Sequence, residues 1–192
     1  MAYLLKNLNN RVLNLQPYNY TTHKPDYYAF TSAIGCEYDC YFYDFSSAFY
    51  LYPDLAPKVF GFNLELKFKP EGLDKIPLDK QIAATVTSII KAFINKKENV
   101  VVYICDNSDS REKARFHKFY HWFKQFNDGS IVQLRGVIHA GDTNILNALL
   151  IHKDNPQLND FIDAFEIITG IYTKPDDDEL NNILNDDAGD GW

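Results

Sequence analysis

The sequence predicts an α+β protein: one mixed, mainly antiparallel sheet of five to six strands with three helices, in the order β-β-β-α-β-α-β-β-α. Three observations carry that expectation. Phe60, Phe62, Leu64, Leu66 and Phe68 alternate with Gly61, Asn63, Glu65 and Lys67, the period of a half-buried antiparallel strand with one wet or helix-free face. Val100 to Cys105 is instead an unbroken apolar run rich in β-branched residues, as in a strand buried on both faces. Helical spacing of apolar residues recurs on either side of that run, so at least one neighbour of the Val100 strand should be parallel to it.

Taken in order, residues 1–25 read as a lead-in, where Leu4, Leu5, Leu8 and Val12 have the spacing of a short docking helix. Tyr27 to Ser32 is the first expected strand, and Ile34-Gly35 marks a turn. The second strand, Glu37 to Phe45, is crowded with aromatics. Ser46 to Pro57 reads as a long connection, and Val59 to Phe68 follows as the alternating strand. Asp79 is a good N-cap for a helix from Lys80 to about Lys97, with Ile82, Val86, Ile89, Ile90 and Phe93 as its apolar stripe. Its β-branched residues lower its intrinsic propensity, so packing must hold it.

The buried strand then leads through Asp106, Asn107, Ser108, Asp109 and Ser110 into a helix expected from Ser110 to about Phe126. Asp109 and Glu112 stand at capping-box spacing. On this helix Phe116, Phe119, Tyr120 and Phe123 share one face; Arg111, Arg115, Lys118 and Trp122 form a second stripe, and His117, His121 and Lys124 a third. Asn127-Asp128-Gly129 stops it. Ile131 to His139 and Ile145 to His152 flank a Gly141-Asp142 turn signal and read as a hairpin. Asn155-Pro156 opens a third helix to about Ile168, whose apolar face is Leu158, Phe161, Ile162, Phe165 and Ile168. The globular domain is expected over residues 26–174, with an acidic flexible tail over 175–192 and a candidate short helix at Asp178 to Leu184.

Charge narrows the function classes. The net charge of -7 arises in the tail, which holds seven acids and no lysine or arginine. Taking those seven from the 26 acids leaves 19, matching the 19 lysines and arginines, so a broad nucleic-acid surface is not indicated. No run reaches transmembrane length. The first 20 residues carry Lys6, Arg11 and five asparagines, which interrupt any secretory apolar core. Three cysteines without such a signal point to a reduced, cytoplasmic protein.

The candidate site is the turn between the buried strand and the central helix. A helix N-terminus offers free N–H groups and a favourable dipole to an anion, and crevices at the carboxyl ends of strands are usual ligand sites. Asp106, Ser108, Asp109, Arg111 and Arg115 are the expected ligand-binding residues, with an anionic small molecule as the candidate ligand. The bland alternative is that the aspartates cap the helix and the arginines neutralise them. Catalytic residues are not assigned. A hydrolase acting on a phosphate-containing or nucleic-acid substrate would use Asp106, Asp109 and His117 as acid/base groups. An interaction protein would instead present the aromatic strands, for instance as a homodimer.

Other constellations are weak. His117 and His121 have metal-ligand spacing, but Lys118 stands where a zinc protease needs glutamate. Cys36 and Cys40 would lie roughly 13 Å apart on a strand, too far for joint ligation. Asp106 and Asp109 could pair on Mg²⁺, against which Arg111 argues. Cys105, at a helix N-terminus, is a candidate nucleophile. Arg135 and His139 share a face of one strand and could reach the turn. No phosphate-binding loop, nucleophile elbow or dinucleotide fingerprint is present. No metal, cofactor or membrane partner is expected.

The sequence Tyr103-Ile104-Cys105-Asp106, with Asp109, Arg115, Phe119 and Trp122-Phe123, resembles an uncharacterised bacterial family, a domain of unknown function. The 79–93 helix, the Asn155-Pro156 step, and Tyr28-Ala29-Phe30-Thr31 with Gly35 and Tyr38 look similar too, so the resemblance spans roughly 27–156. It implies kinship of fold and no activity.

Overall fold

The computed structural model describes residues 15–105, 111–140 and 143–171. The early strands form an antiparallel meander: β1 (Tyr20–Lys24), β2 (Tyr27–Thr31), β3 (Glu37–Asp44) and β4 (Val59–Phe68). Helix α1 (Lys80–Ile94) crosses over to β5 (Val100–Ile104), which lies parallel to β4. Helix α2 (Glu112–Phe126) leads to the hairpin β6 (Ile131–Ala140) and β7 (Thr143–His152); α3 (Leu158–Ile168) and the two-residue β8 (Gly170–Ile171) follow. The sheet order is β1-β2-β3-β4-β5-β7-β6-β8, with β7 slotted between β5 and β6.

The α+β class, the three helices and the mixed sheet are therefore as expected, and the strand count is not. Seven strands of five residues or more and the short β8 replace the expected five to six. β1 escaped prediction because an edge strand needs no apolar alternation; its residues after Tyr20 are all exposed, and it falls within the expected lead-in. The long connection between β3 and β4 holds two 3-10 turns, Ser46–Phe49 and Ala56–Lys58.

Alternation assigns each strand's side chains to a core. On the front face, Tyr38, Cys40 and Phe42 of β3, Phe62 of β4, and Val101, Tyr103 and Cys105 of the β5 stretch meet α1 and α2. On the back, Val100, Val102, Leu149 and Ile151 meet Phe161, Ala164 and Phe165 of α3, with Phe49 from the first 3-10 turn. The β5 strand is thus buried on both faces, as its unbroken apolar run predicts. The back of the β1–β4 half carries no helix among the described residues.

Asp79 caps α1 as expected, accepting from Gln81 N at 2.8 Å. The helix ends at Ile94, one turn short of expectation. Thr85, a poor helix former, is secured by packing: its hydroxyl donates to Gln81 O (2.7 Å) and accepts from Tyr18 N (2.8 Å). Asn127 ends α2, and the chain turns at Gly129, whose φ of +86° a Cβ would strain. Asn155 fixes the start of α3, accepting from Gln157 N (2.7 Å) and donating to Lys97 O (2.7 Å). The expected N-terminal docking helix and the acidic tail lie outside the described residues.

Candidate functional site

Of the five expected ligand-binding residues, Asp106, Ser108 and Asp109 lie outside the described residues; Arg111 and Arg115 lie within them. Helix α2 begins at Glu112, two residues later than expected, with Arg111 at its N-cap position and no side-chain cap there. Glu112 is therefore the first helical residue, not the third, and Arg111 rather than Asp109 holds the N-cap position. Arg111 and Arg115 are half-buried one turn apart, and Arg115 N donates to Arg111 O at 3.0 Å.

Cys105 closes β5 beneath this first turn. Its N–H donates to Leu146 O at 3.0 Å, and its side chain is 5 % exposed. Burial pushes the thiol up to about 12, partly countered by Arg115 and reinforced by Glu112. The expected nucleophile is thus a protonated core thiol at neutral pH, because desolvation outweighs the nearby positive charge. One carboxylate oxygen of Glu112 is buried without a hydrogen-bond partner among the described residues.

Along the underside of α2, Tyr103 and Arg135 both face Ala148, from β5 and β6 respectively. That small residue leaves room between them. Tyr103 is fully desolvated, its hydroxyl accepting from Gln133 Nε2 at 2.8 Å, and burial raises its pKa well above the ordinary value. The Arg135 guanidinium lies 4.1 Å from the centre of the Tyr120 ring. His139, at the same end of the sheet, has its Nδ1 2.7 Å from Asn144 Oδ1. His117, expected as an acid/base group, is 1 % exposed, and Trp122, expected on the basic stripe, is 6 % exposed. Helix α2 buries more than one face because α1 flanks it while the sheet lies below. Among the described residues no group of three or more His, Cys, Asp or Glu is placed to hold a metal, and no helix is long and apolar enough to cross a membrane.

A wedge, the stretch over which β4 and β5 are no longer paired, lies at this end of the sheet. The parallel pairing of β4 with β5 spans only Val59–Gly61 against Val100–Val102. Beyond it β4 runs on to Phe68, while β5 stays with β7 as far as Ile104 against Asn147. Phe45 N donates to Val59 O (3.0 Å), which sets the phase of the β3–β4 ladder. Even-numbered β4 residues therefore turn their backbone groups toward β5. Leu64 and Leu66 do so with no strand opposite them among the described residues. The Cys105–Leu146 bond sets the β5 phase likewise, so Ile104 turns its backbone groups toward β4. Strand-pair registers of this kind are set in three dimensions and leave no mark on residue types.

On the back of β2 to β4 lies a second feature. Tyr27 and Tyr41 stack at 5.6 Å, and Tyr43 leans on Tyr41 at 6.3 Å. The Tyr27 hydroxyl donates to Asp39, and Asn63 Nδ2 donates to the Tyr41 hydroxyl. Period-two alternation of β3 sets outward Tyr41 and Tyr43 apart from inward Tyr38, Cys40 and Phe42.

The architecture is that of an α+β domain with a mixed sheet helically covered on its front and, over β5–β7, on its back. Residues 78–167, from just before the α1 cap almost to the end of α3, match the model of a family of unknown function, DUF6169. The match starts later than the expected resemblance, so β1–β4 lie outside it, and it ends later, within the last turn of α3. No curated protein and no solved structure matches the chain.

Proposed function

We propose that the protein is a small binding module whose ligand is an extended, amide-bearing chain with an anionic group. The observation that carries this reading is the β4–β5 wedge. The backbone groups of Leu64, Leu66 and Ile104 that face it, with no strand opposite them among the described residues, offer alternating donors and acceptors to a linear amide, as sheet edges do to added strands. The anion belongs at the start of α2, where Arg111 and Arg115 stand one turn apart; Asp106, Ser108 and Asp109, expected to share in binding it, lie outside the described residues. Ordinary catalysis is the weaker reading, because His117 is shut from solvent and Cys105 is held protonated. Three buried free thiols favour a reducing compartment, the cytoplasm.

Coenzyme A combines a linear arm of secondary amides with phosphates and is the first probe; inorganic pyrophosphate tests the anion alone. Calorimetry should give binding of coenzyme A that Arg115→Glu weakens at least tenfold while the melting temperature stays put. Binding indifferent to that change, or no binding of either probe, overturns the reading; a large drop in melting temperature assigns Arg115 a structural role instead.

The outward Tyr27, Tyr41 and Tyr43 favour a second reading, a partner surface used for homodimerisation. Light scattering after size exclusion tests it: a monomer mass at all concentrations removes it.

A further inference from the structure

A groove of about 370 Å³ lies on the far side of the molecule from the α2 turn, between the 3-10 connection and α3. Ala164 is in its floor, Leu51 and Ile167 stand at its lip, and Asp54, Asp160 and Asp163 rim it. Leu51 and Ile167 are 62 % and 73 % exposed, unusual for large apolar side chains. The groove is held open by a rigid base: Phe49, 2 % exposed, packs edge-on to fully buried Phe161 at 5.8 Å. Its rim is mainly acidic, with the Lys58 ammonium donating to the lining Gln157 at one side. No lysine or arginine lines it, and α3 itself carries Asp160, Asp163 and Glu166 with no basic residue.

We infer that this groove docks a segment of a partner protein in which an apolar side chain is flanked by lysine or arginine. The apolar side chain would cover Ala164 between Leu51 and Ile167, and the flanking cations would meet the three aspartates. The chemistry excludes the chain's own C-terminal tail, whose seven acids would be repelled. Nucleic acid is excluded on the same ground. The N-terminal 14 residues carry Lys6 and Arg11 without an acid, so the test must separate an occupant in cis from a partner.

The experiment is peptide display. Random twelve-residue peptides are panned on the full chain, with counter-selection on the triple variant Asp160→Lys, Asp163→Lys, Ile167→Ser. All three sites are exposed, so the variant keeps the fold, which circular dichroism verifies. The expected consensus is an apolar residue between lysines or arginines. A representative peptide should bind the wild type at least tenfold tighter than the variant, and its affinity should fall as salt rises. No enrichment, an acidic or uncharged consensus, or equal binding to the variant overturns the proposal. Binding that appears only after residues 1–14 are deleted also overturns it, by assigning the groove to the chain's own start.

Discussion

The two halves of the sheet solve burial differently. In β1–β4 one face packs against α1 while the other meets water through Thr31, Tyr41, Tyr43, Glu65 and Lys67. In β5–β7 both faces are covered, so Leu149 and Leu150, adjacent in sequence, are both almost fully buried on opposite sides. The wet half lies outside the family match and the doubly covered half lies inside it. A doubly buried strand cannot trade an apolar residue for a polar one without stranding it, whereas a one-faced strand can vary at every second position.

The largest expected contrast is Leu149→Ala against Thr31→Ala. Loss of the Leu149 side chain, between β7 and α3, should cost about 2–5 kcal/mol, and Thr31→Ala should stay within about 0.5 kcal/mol. Urea denaturation reads both, and equal losses would break the comparison. Next come two close backbone approaches. A Cβ on Gly136 would sit 2.3 Å from the Thr169 hydroxyl, which is buried and tied to Phe165 O at 2.8 Å. Gly136→Ala should therefore cost about 1–3 kcal/mol. A Cβ on Gly61 would meet the Tyr43 ring at 2.2 Å, but that ring is 43 % exposed and can swing away. Gly61→Ala should cost less than about 1 kcal/mol. Thermal melts distinguish them, and a reversed order would show that the Tyr43 ring is fixed.

A smaller effect concerns pH. Lys91 donates to Asp128 at 2.6 Å and Ser130 N donates to it at 3.0 Å, holding its carboxyl well below the usual carboxylate range. A depressed folded-state pKa stabilises above the ordinary aspartate value, near ~3.9, and that contribution disappears as pH falls through the folded value. Asp128 is half exposed, so Asp128→Asn should lose only about 0.2–1 kcal/mol at pH 7. The gap from wild type should narrow below about pH 4; a gap that widens there would contradict the assignment. The smallest expected effect is none at all. Cys36 and Cys40 in one half and Cys105 in the other are 0 %, 0 % and 5 % exposed. None should react with a thiol reagent at pH 8 until the protein unfolds. Fast native labelling of Cys105 alone would restore it as a reactive group.

Legibility followed the same division. The alternation in β4, the apolar run of β5, the Asp79 cap and the Asn155-Pro156 step were plain in the sequence, since each is a local pattern. β1 was missed because an exposed edge strand has no apolar face to announce it. Trp122 and His117 were misplaced because one helix is covered from two directions, which a single apolar stripe does not report. At the candidate site, the arginine pair was legible one turn apart, whereas the wedge, the protonated state of Cys105 and the Arg135–Tyr120 contact were not.

By itself, the sequence determined the α+β class, the three helices, the faces of the long strands and the neutrality of the body, because periodicity and composition act over short spans of chain. Tertiary structure alone decided that β7 inserts between β5 and β6, that β4 and β5 part after Gly61 and Val102, and that a segment read as a long connection builds one wall of an acidic groove. Those outcomes depend on which distant segments meet. That choice is set by the summed packing of two cores, and no single stretch of residues encodes it.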